Sequence, residues 1–567
     1  MTHCNDRSGK VLVLGRDNRS FLSVIRSLGR HGIEVHGAFC ASDIAAVKSK
    51  YLHTYHRDID FSPDSLEWKD RLIAILKKEK FDLLIPCEDT SGYYLNLYKN
   101  EFLPYAQIYL LNDDAYRVTR DKEKTYELAQ SLGISVPRQM IVRKTDPDLL
   151  KKVSDNFDFP IVIKPPVSFN KNRSRNVVHK AYSLEETEEL LQTMPENFIL
   201  QENFIGVGVG VELLMNNGQT LVAFQHQRVH EPLMGGGSSY RKSVKINPDL
   251  LDASEKILSF LNYTGVAMVE FKVNLETERW VLLEINGRFW GSLPLPISLG
   301  IDFPFYLYEL LVNGKHEFPQ KYRTGVYCRN FPRDWLWMRE NYHADKTDPT
   351  LATQPVWESV LSLFNILLFR EKNDTLVLDD PKPGIYEFSL LISNIRREYI
   401  NKLREYLSQP SRFARHRAQK QFKKADHVLF VCKGNICRSP FAASIATLMT
   451  DKDIQSAGYF PYPGRTPPDN AIEAAKYFKI DLSAHKSQML NKPLVRQADC
   501  ILVFDKYNME TLSDSFPDSR KKIHLFGCLT PDLIDIADPF GKDVDFFKKT
   551  YSRIFSALDQ YSFKDLL

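Results

Sequence analysis

The sequence predicts a multidomain α/β protein, and three observations carry that reading. At 567 residues the chain exceeds what one hydrophobic core holds, so roughly two to four domains are expected. Residues 10–36, "KVLVLGRDNRSFLSVIRSLGRHGIEV", read as strand, tight turn at Gly15, amphipathic helix, turn at Gly32 and second strand, a βαβ opening. From about 427, short apolar strands at 427–432, 501–504 and 522–526 alternate with helical stretches, the pattern of a small parallel sheet wound with helices.

Each element follows in order. "KFDLLIPCEDT" (80–90) supplies another strand of the first sheet. This lobe, 1–115, lacks G-x-G-x-x-G, so a Rossmann-like structural role is expected rather than dinucleotide binding. From 116 to 330 mixed strands and helices follow, with glycine clusters at 206–210 and 235–237. Residues 331–400 are aromatic and irregular and receive no assignment. The stretch 401–425 carries eight Lys/Arg against one Glu and reads as a solvated helical linker, with an anionic partner or membrane surface as the alternative. It closes a tail of 331–425, and the last domain spans 426–567.

Composition excludes several classes. The chain is 43% apolar and 26% charged with a net charge of +4, so no global attraction to nucleic acid is expected. Eight cysteines scattered through the chain, with a polar start "MTHCNDRSGK", point to a reducing cytoplasm. The strongest apolar run, "WESVLSLFNILLF" (357–369), contains Glu358 and falls short of the ~20 apolar residues of a bilayer span. No transmembrane segment is expected. A buried helix is the expectation there, with an interfacial helix as the alternative.

"VLFVCKGNICRS" (428–439) places two cysteines around a glycine, an asparagine and an arginine, between a buried strand and a helix expected to begin near Ser439. Zinc would require a second ligand pair, and no C-x-x-C or H-x-x-x-H supplies one. A Walker loop would require G-x-x-x-x-G-K-[ST], which is absent. What remains is an anion nest of backbone N–H groups, reinforced by a helix N-terminus and the planar fork of Arg438. Under that field Cys432 is expected to be a thiolate aimed at a bound phosphorus. "IDIADPFGKDVDFF" offers Asp538, followed by Pro539, as an acid.

V-C-K-G-N-I-C-R-S with D-P-F resembles the low-molecular-weight protein tyrosine phosphatase family. The resemblance runs over about 426–567 through "SAG" (456–458), "GRTPPD" (464–469) and "ILVFD" (501–505). It implies a doubly wound parallel-sheet domain. Cys432 would form a phosphocysteine, Arg438 would bind the phosphoryl group, and Asp538 would serve as acid and then base. Asn435 would shape the loop, Ser439 would hydrogen-bond the thiolate, and Cys437 would protect Cys432 from over-oxidation as a disulfide partner. Tyr459, Phe460 and Tyr462 would wall a slot for phenyl phosphate. The paired tyrosines that follow the Asp-Pro in many relatives are absent. Arsenate reduction would call for two further close cysteines, and only Cys500 and Cys528 follow.

In the middle of the chain, "TGVAMVEFKVNLETERWVLLEINGRFWG" (264–291) reads as two strands. Alternation puts Glu284 and Asn286 on one face, near Glu270, and this hard-oxygen set suits Mg²⁺ on nucleotide phosphates. Arg288 shares that face. Lys164 ends the strand "FPIVIKPP", Lys124 lies at a helix start in "TRDKEKTYELAQSLGISVP", and "FILQENFIG" (198–206) runs into a connector. Together these resemble the ATP-grasp superfamily, in its carbamoyl-phosphate-synthetase-like branch, over roughly 10–320. The resemblance implies Lys124 and Lys164 on ATP phosphates, and Gln201, Glu202, Asn203 and Phe204 at the adenine hinge. It further implies Glu212 on the ribose, Glu270, Glu284 and Asn286 on Mg²⁺ (or Mn²⁺), and Arg288 on an acyl phosphate. "RVHEPLMGGGSSYR" (228–241) resembles the segment that closes over substrate.

The expectation is a bifunctional enzyme. One half would dephosphorylate a phosphotyrosine protein or small aryl phosphate, and the other would join a small carboxylate and an amine with ATP. The alternative is a phosphatase whose ATP-grasp part only binds nucleotide, as regulator or scaffold; arsenate reduction is the third reading.

Overall fold

The computed structural model describes residues 9–561 apart from 17–18, 40–43, 58, 60–65, 144–147, 166–177, 194–196, 234–235, 349, 368–370, 408–411 and 530–534. Cys4, Cys40, Gly235 of the second glycine cluster, residues 368–369 of the stretch read at 357–369 and 408–411 of the stretch read at 401–425 therefore lie outside the described residues. The chain divides into two compact units, residues 1–395 and 396–567.

The first unit opens with strand β1 (Lys10–Leu14), helix α1 (Ser20–Arg30) and strand β2 (Glu34–Ala38), as the apolar periodicity requires. Gly32 adopts φ +78°, a left-handed turn between α1 and β2 that a side chain would strain. Strands β3 (Thr54–His56), β4 (Leu83–Pro86) and β5 (Gln107–Ile108) complete a parallel sheet of order β3-β2-β1-β4-β5. Helix α2 (Asp89–Leu97) follows β4, and α3 (Lys122–Ser131) leads into the next layer.

That layer is a four-stranded antiparallel sheet of β6 (Gln139–Arg143), β7 (Ile161–Lys164), β8 (His179–Ala181) and β9 (Asn197–Glu202), in the order β6-β9-β7-β8. A larger sheet holds β10 (Val207–Asn216), β11 (Gln219–His230), β12 (Tyr240–Ser243), β13 (Gly265–Val273), β14 (Trp280–Asn286) and β15 (Tyr327–Arg329). Its order is β14-β13-β10-β11-β12-β15, closed by a short β16 (Glu371–Asn373) parallel to β15.

Residues 331–400, unassigned from sequence, are mostly helical: α4 (Phe331–His343), α5 (Val356–Ser362), α6 (Phe364–Leu367) and α7 (Lys382–Leu407). Buried polar pairs hold α4 in place. His230 Nδ1 lies 2.7 Å from Asp334 Oδ1, and Arg329 meets both Asp334 and Glu371. The burial expected at 357–369 is not found. Trp357, Val360, Leu361 and Phe364 are all exposed, because α5 turns its small Ser359 inward instead.

The second unit also corrects an expectation. Helix α8 (Arg412–Lys424), read as solvated linker, buries Ala418 and Phe422 in this unit's core, so its hydrophobic positions outweigh its charge. Its parallel sheet comprises β17 (His427–Cys432), β18 (Asp453–Gly458), β19 (Cys500–Val503) and β20 (Ile523–Leu525), in the order β18-β17-β19-β20. Helices α9 (Arg438–Met449), α10 (Lys506–Ser515) and α11 (Val544–Asp559) are wound around it. The strand order reverses between β17 and β19, which opens a crevice at their carboxyl ends.

Candidate active sites

In the second unit β17 delivers Cys432 to that crevice, 3% exposed. The chain then turns through Asn435, whose φ of +52° lies in the left-handed region that asparagine tolerates. This turn aims the Asn435 N–H at Cys432 Sγ, 3.2 Å away, and Ser439 Oγ sits 3.1 Å from the same sulfur. The Asn435 side chain donates to Ser439 Oγ and Ser456 Oγ, both at 2.9 Å, and accepts from Gln488 N at 2.7 Å. Gly458 explains the "SAG" motif: a Cβ there would come within 2.8 Å of the backbone of residues 433–435. Arg465, from "GRTPPD", donates to Gly434 O at 2.7 Å and braces the loop from outside.

Arg438 opens α9 and is 1% exposed. Its Nη1 donates to Asp505 Oδ2 at 2.6 Å and Ile536 O at 2.8 Å, and Nη2 lies 2.9 Å from Asp538 Oδ2. The nucleophile, anion fork and acid predicted from sequence are thus together. Asp505, the last residue of "ILVFD", has no role in the sequence reading; its position just after β19, across the crevice from β17, is the available signal. Phe460 N donates to Lys433 O at 2.9 Å, which places Phe460 beside the loop, while Tyr462 is mostly exposed. Burial, with the neighbouring Cys432, raises the Cys437 thiol far above the ordinary range. Burial also raises Cys500 to about 12 and Cys528 to about 11, and the two lie in different core clusters.

Residues 427–566 match the family described as low molecular weight phosphotyrosine protein phosphatase. A putative low-molecular-weight protein-tyrosine-phosphatase of Klebsiella pneumoniae is 33% identical over 128 residues, 22% of this chain and 88% of that protein. The chain belongs, through this domain, to the low-molecular-weight protein-tyrosine-phosphatase family. A protein-arginine-phosphatase of Bacillus subtilis is 30% identical over 139 residues, 24% of this chain and 92% of that protein. The phosphatase domain accounts for the C-terminal quarter.

The first unit matches a second family. Residues 194–331 fit the description "ATP-grasp in the biosynthetic pathway with Ter operon". The biotin carboxylase domain of the Hydrogenobacter thermophilus 2-oxoglutarate carboxylase, solved with MgADP, ADP and bicarbonate, aligns over 56% of this chain and 73% of that one, at 14% identity and a TM-score of 0.45.

The candidate site in the first unit is a cavity of about 630 Å³. Lys164, at the end of β7, is 6% exposed and donates to Tyr126 Oη at 2.6 Å and Gln201 Oε1 at 2.8 Å. Burial lowers its ammonium to about 8, against the pull of Glu284 and Glu270. Gln201 to Phe204 line the same cavity, and Glu202 accepts from Arg138 N at 3.0 Å. Glu270 and Glu284 are register partners across β13 and β14, and Asn286 Nδ2 donates to Glu284 Oε1 at 3.1 Å. Burial pushes Glu270 upward, opposed by Arg228, whose Nη2 lies 2.6 Å from it. Burial also acts on Glu284, but Lys122, Asn286 and Arg288 outweigh it and hold that carboxyl low. Two facing carboxylates and an amide oxygen are a donor set that fits a hard divalent cation. Arg288 lines the cavity with its Nε 2.9 Å from Asp89 Oδ2 at the start of α2. The β11–β12 connection brings Glu231, Pro232 and Gly236 to Ser238 over the cavity.

Two sequence assignments move. Lys124 does not reach the cavity and pairs with Asp121 at 4.0 Å on the outside. On α3, positions 122 and 126 share a face while 124 is rotated about 200° from 122. Lys122 therefore lines the cavity, 3.8 Å from Glu284. Glu212 is fully buried on the central strand β10, 2.9 Å from His226 Nδ1 and accepting from Ser292 Oγ at 2.8 Å. It stabilises the wall behind the cavity and does not face a ribose. Arg228, Lys122 and Lys180 also line the cavity, and the sequence reading gives them no role; Tyr126, one helical turn from Lys122 on α3, is buried and accepts from Lys164 Nζ.

Proposed function

We propose that the chain is a bifunctional enzyme, a protein-tyrosine-type phosphatase and an ATP-dependent carboxylate ligase. The observation that carries the first activity is Arg438, on the same strand-to-helix turn as Cys432, held by both Asp505 and Asp538. Cys432 Sγ attacks phosphorus as the bond from phosphorus to the aryl oxygen breaks, and Asp538 delivers its proton to that oxygen. Water then attacks the phosphocysteine with Asp538 as base, releasing phosphate and the thiolate. Through both steps Arg438 and the loop N–H groups hold the non-bridging oxygens, where charge gathers. Rapid quenching with a labelled aryl phosphate tests this step. Label on the Cys432 peptide supports it; turnover without any labelled protein contradicts it.

For the ATP-grasp half, Lys164 and Lys122 would hold nucleotide phosphates, Gln201–Phe204 the adenine, and Arg288 the acyl phosphate. Glu270, Glu284 and Asn286 would hold Mg²⁺, which supplies charge neutralisation when bound. The carboxylate oxygen of a small acid takes the γ-phosphoryl group, ADP leaves, and an amine then displaces phosphate. ADP release across carboxylate–amine pairs, against Lys164→Ala, tests it; release equal to that variant for every pair returns the domain to a nucleotide-binding module.

A further inference from the structure

Helix α5 and its continuation α6 are built inside out. Val356, Trp357, Val360, Leu361 and Phe364 follow a helical period and form one face, 41 to 62% exposed. The inward side is held by a polar contact, Asn341 Nδ2 of α4 to Ser359 Oγ at 3.2 Å. A helix of a globular protein normally places its apolar stripe on the core and its polar stripe outside. On α4, Trp335, Leu336 and Tyr342 are exposed as well, at 42, 53 and 66%, around Arg339 on the same stripe. A single exposed hydrophobe needs no explanation; two adjoining helices that both turn large apolar groups outward do.

We propose that this face is a peripheral membrane-binding surface for an anionic bilayer. Two observations select a bilayer over a protein partner. Three of the outward groups are Trp335, Trp357 and Tyr342, whose amphipathic rings suit the headgroup boundary. Charge supplies the second: Arg333 and Arg339 interleave with the apolar groups on α4, and Lys372 and Lys382 are exposed on the segments that follow. Apolar faces bordered by cations bind anionic lipid by shallow insertion plus attraction. Among the described residues no helix is long and apolar enough to cross a membrane, so binding would be at the surface.

Co-sedimentation of the full chain with phosphatidylglycerol vesicles, and separately with phosphatidylcholine vesicles, tests this. Binding to the anionic vesicles is expected, weakened by salt, and at least about tenfold weaker in Trp357→Glu/Leu361→Glu. The melting temperature and aryl phosphate hydrolysis of that variant should match wild type; if they do not, Phe364→Asp replaces it. No vesicle binding by wild type overturns the proposal, as does binding that neither variant weakens. A wild-type dimer that the substitution makes monomeric, with no vesicle binding, would overturn it too and assign the face to a second copy.

Discussion

Arg438 Nη2 lies 2.9 Å from Asp538 Oδ2, so the guanidinium proposed to grip phosphate also holds the carboxyl proposed to protonate the leaving oxygen. Asp538 retains a side chain 45% exposed, open to a substrate entering from solvent. In the proposed mechanism the pair would couple binding to protonation.

Asp538→Asn should lower kcat for an aryl phosphate roughly 100- to 10,000-fold while KM changes little, because it removes proton delivery and leaves the anion cradle. Steady-state kinetics across phenols of differing acidity check it, with the smallest loss for the most acidic phenol. Equal losses in kcat and in binding would contradict the assigned role.

Asp505→Ala should act through Arg438. The guanidinium loses its 2.6 Å partner, so affinity for phosphate or vanadate should fall about tenfold, or ~1.4 kcal/mol. Inhibition constants measure it, and an unchanged constant would show that Ile536 O and Asp538 suffice to orient Arg438.

Lys122→Ala and Lys124→Ala separate helical phase from sequence resemblance. The first should weaken MgATP binding about tenfold by calorimetry, since Lys122 faces Glu284 inside the cavity. The second should leave it unchanged; the reverse order would restore Lys124 to the site.

Nucleotide affinity should fall as pH rises through about 8, where Lys164 loses its proton. The sign follows from burial: desolvation lowers the lysine from 10.5, so its positive charge is present below about 8 and lost above it. A lysine at its ordinary value would hold affinity to about pH 10. Calorimetric titrations between the two values distinguish them, and Lys164→Arg should flatten the profile.

Glu212→Gln should cost stability rather than nucleotide selectivity. The carboxylate is buried, accepts from Ser292 Oγ and lies 2.9 Å from His226 Nδ1, and leaving a buried polar group unsatisfied costs roughly 1–3 kcal/mol. A lower melting temperature with ATP and 2′-deoxy-ATP still bound in wild-type proportion is expected; a changed proportion would return Glu212 to the ribose.

What the sequence made legible followed from spacing. Cys432 through Ser439 sits on one strand-to-helix turn, so its chemistry is local, and Glu284 with Asn286 obeys strand alternation. Residues whose roles depend on tertiary partners were less accessible. Asp505 matters because parallel pairing of β17 and β19 sets it against Arg438. Glu212 looked available because an acid after a hinge is unremarkable in sequence, yet β10 is central and covered on both faces. Lys124 is assigned from its place at a helix start, whereas the phase of α3 puts Lys122 in the cavity. The apolar run at 357–369 read as core because hydrophobicity gives period without direction; the polar anchor at Ser359 reverses the face.

The central claim is that two separable chemistries share this chain, one resting on Cys432 and one on Lys164. Hydrolysis of p-nitrophenyl phosphate by full-length wild type, Cys432→Ser and Lys164→Ala tests it most directly. Activity in wild type, none in Cys432→Ser and full retention in Lys164→Ala is the predicted result. A silent wild type, or a Cys432→Ser variant that still hydrolyses, would contradict it.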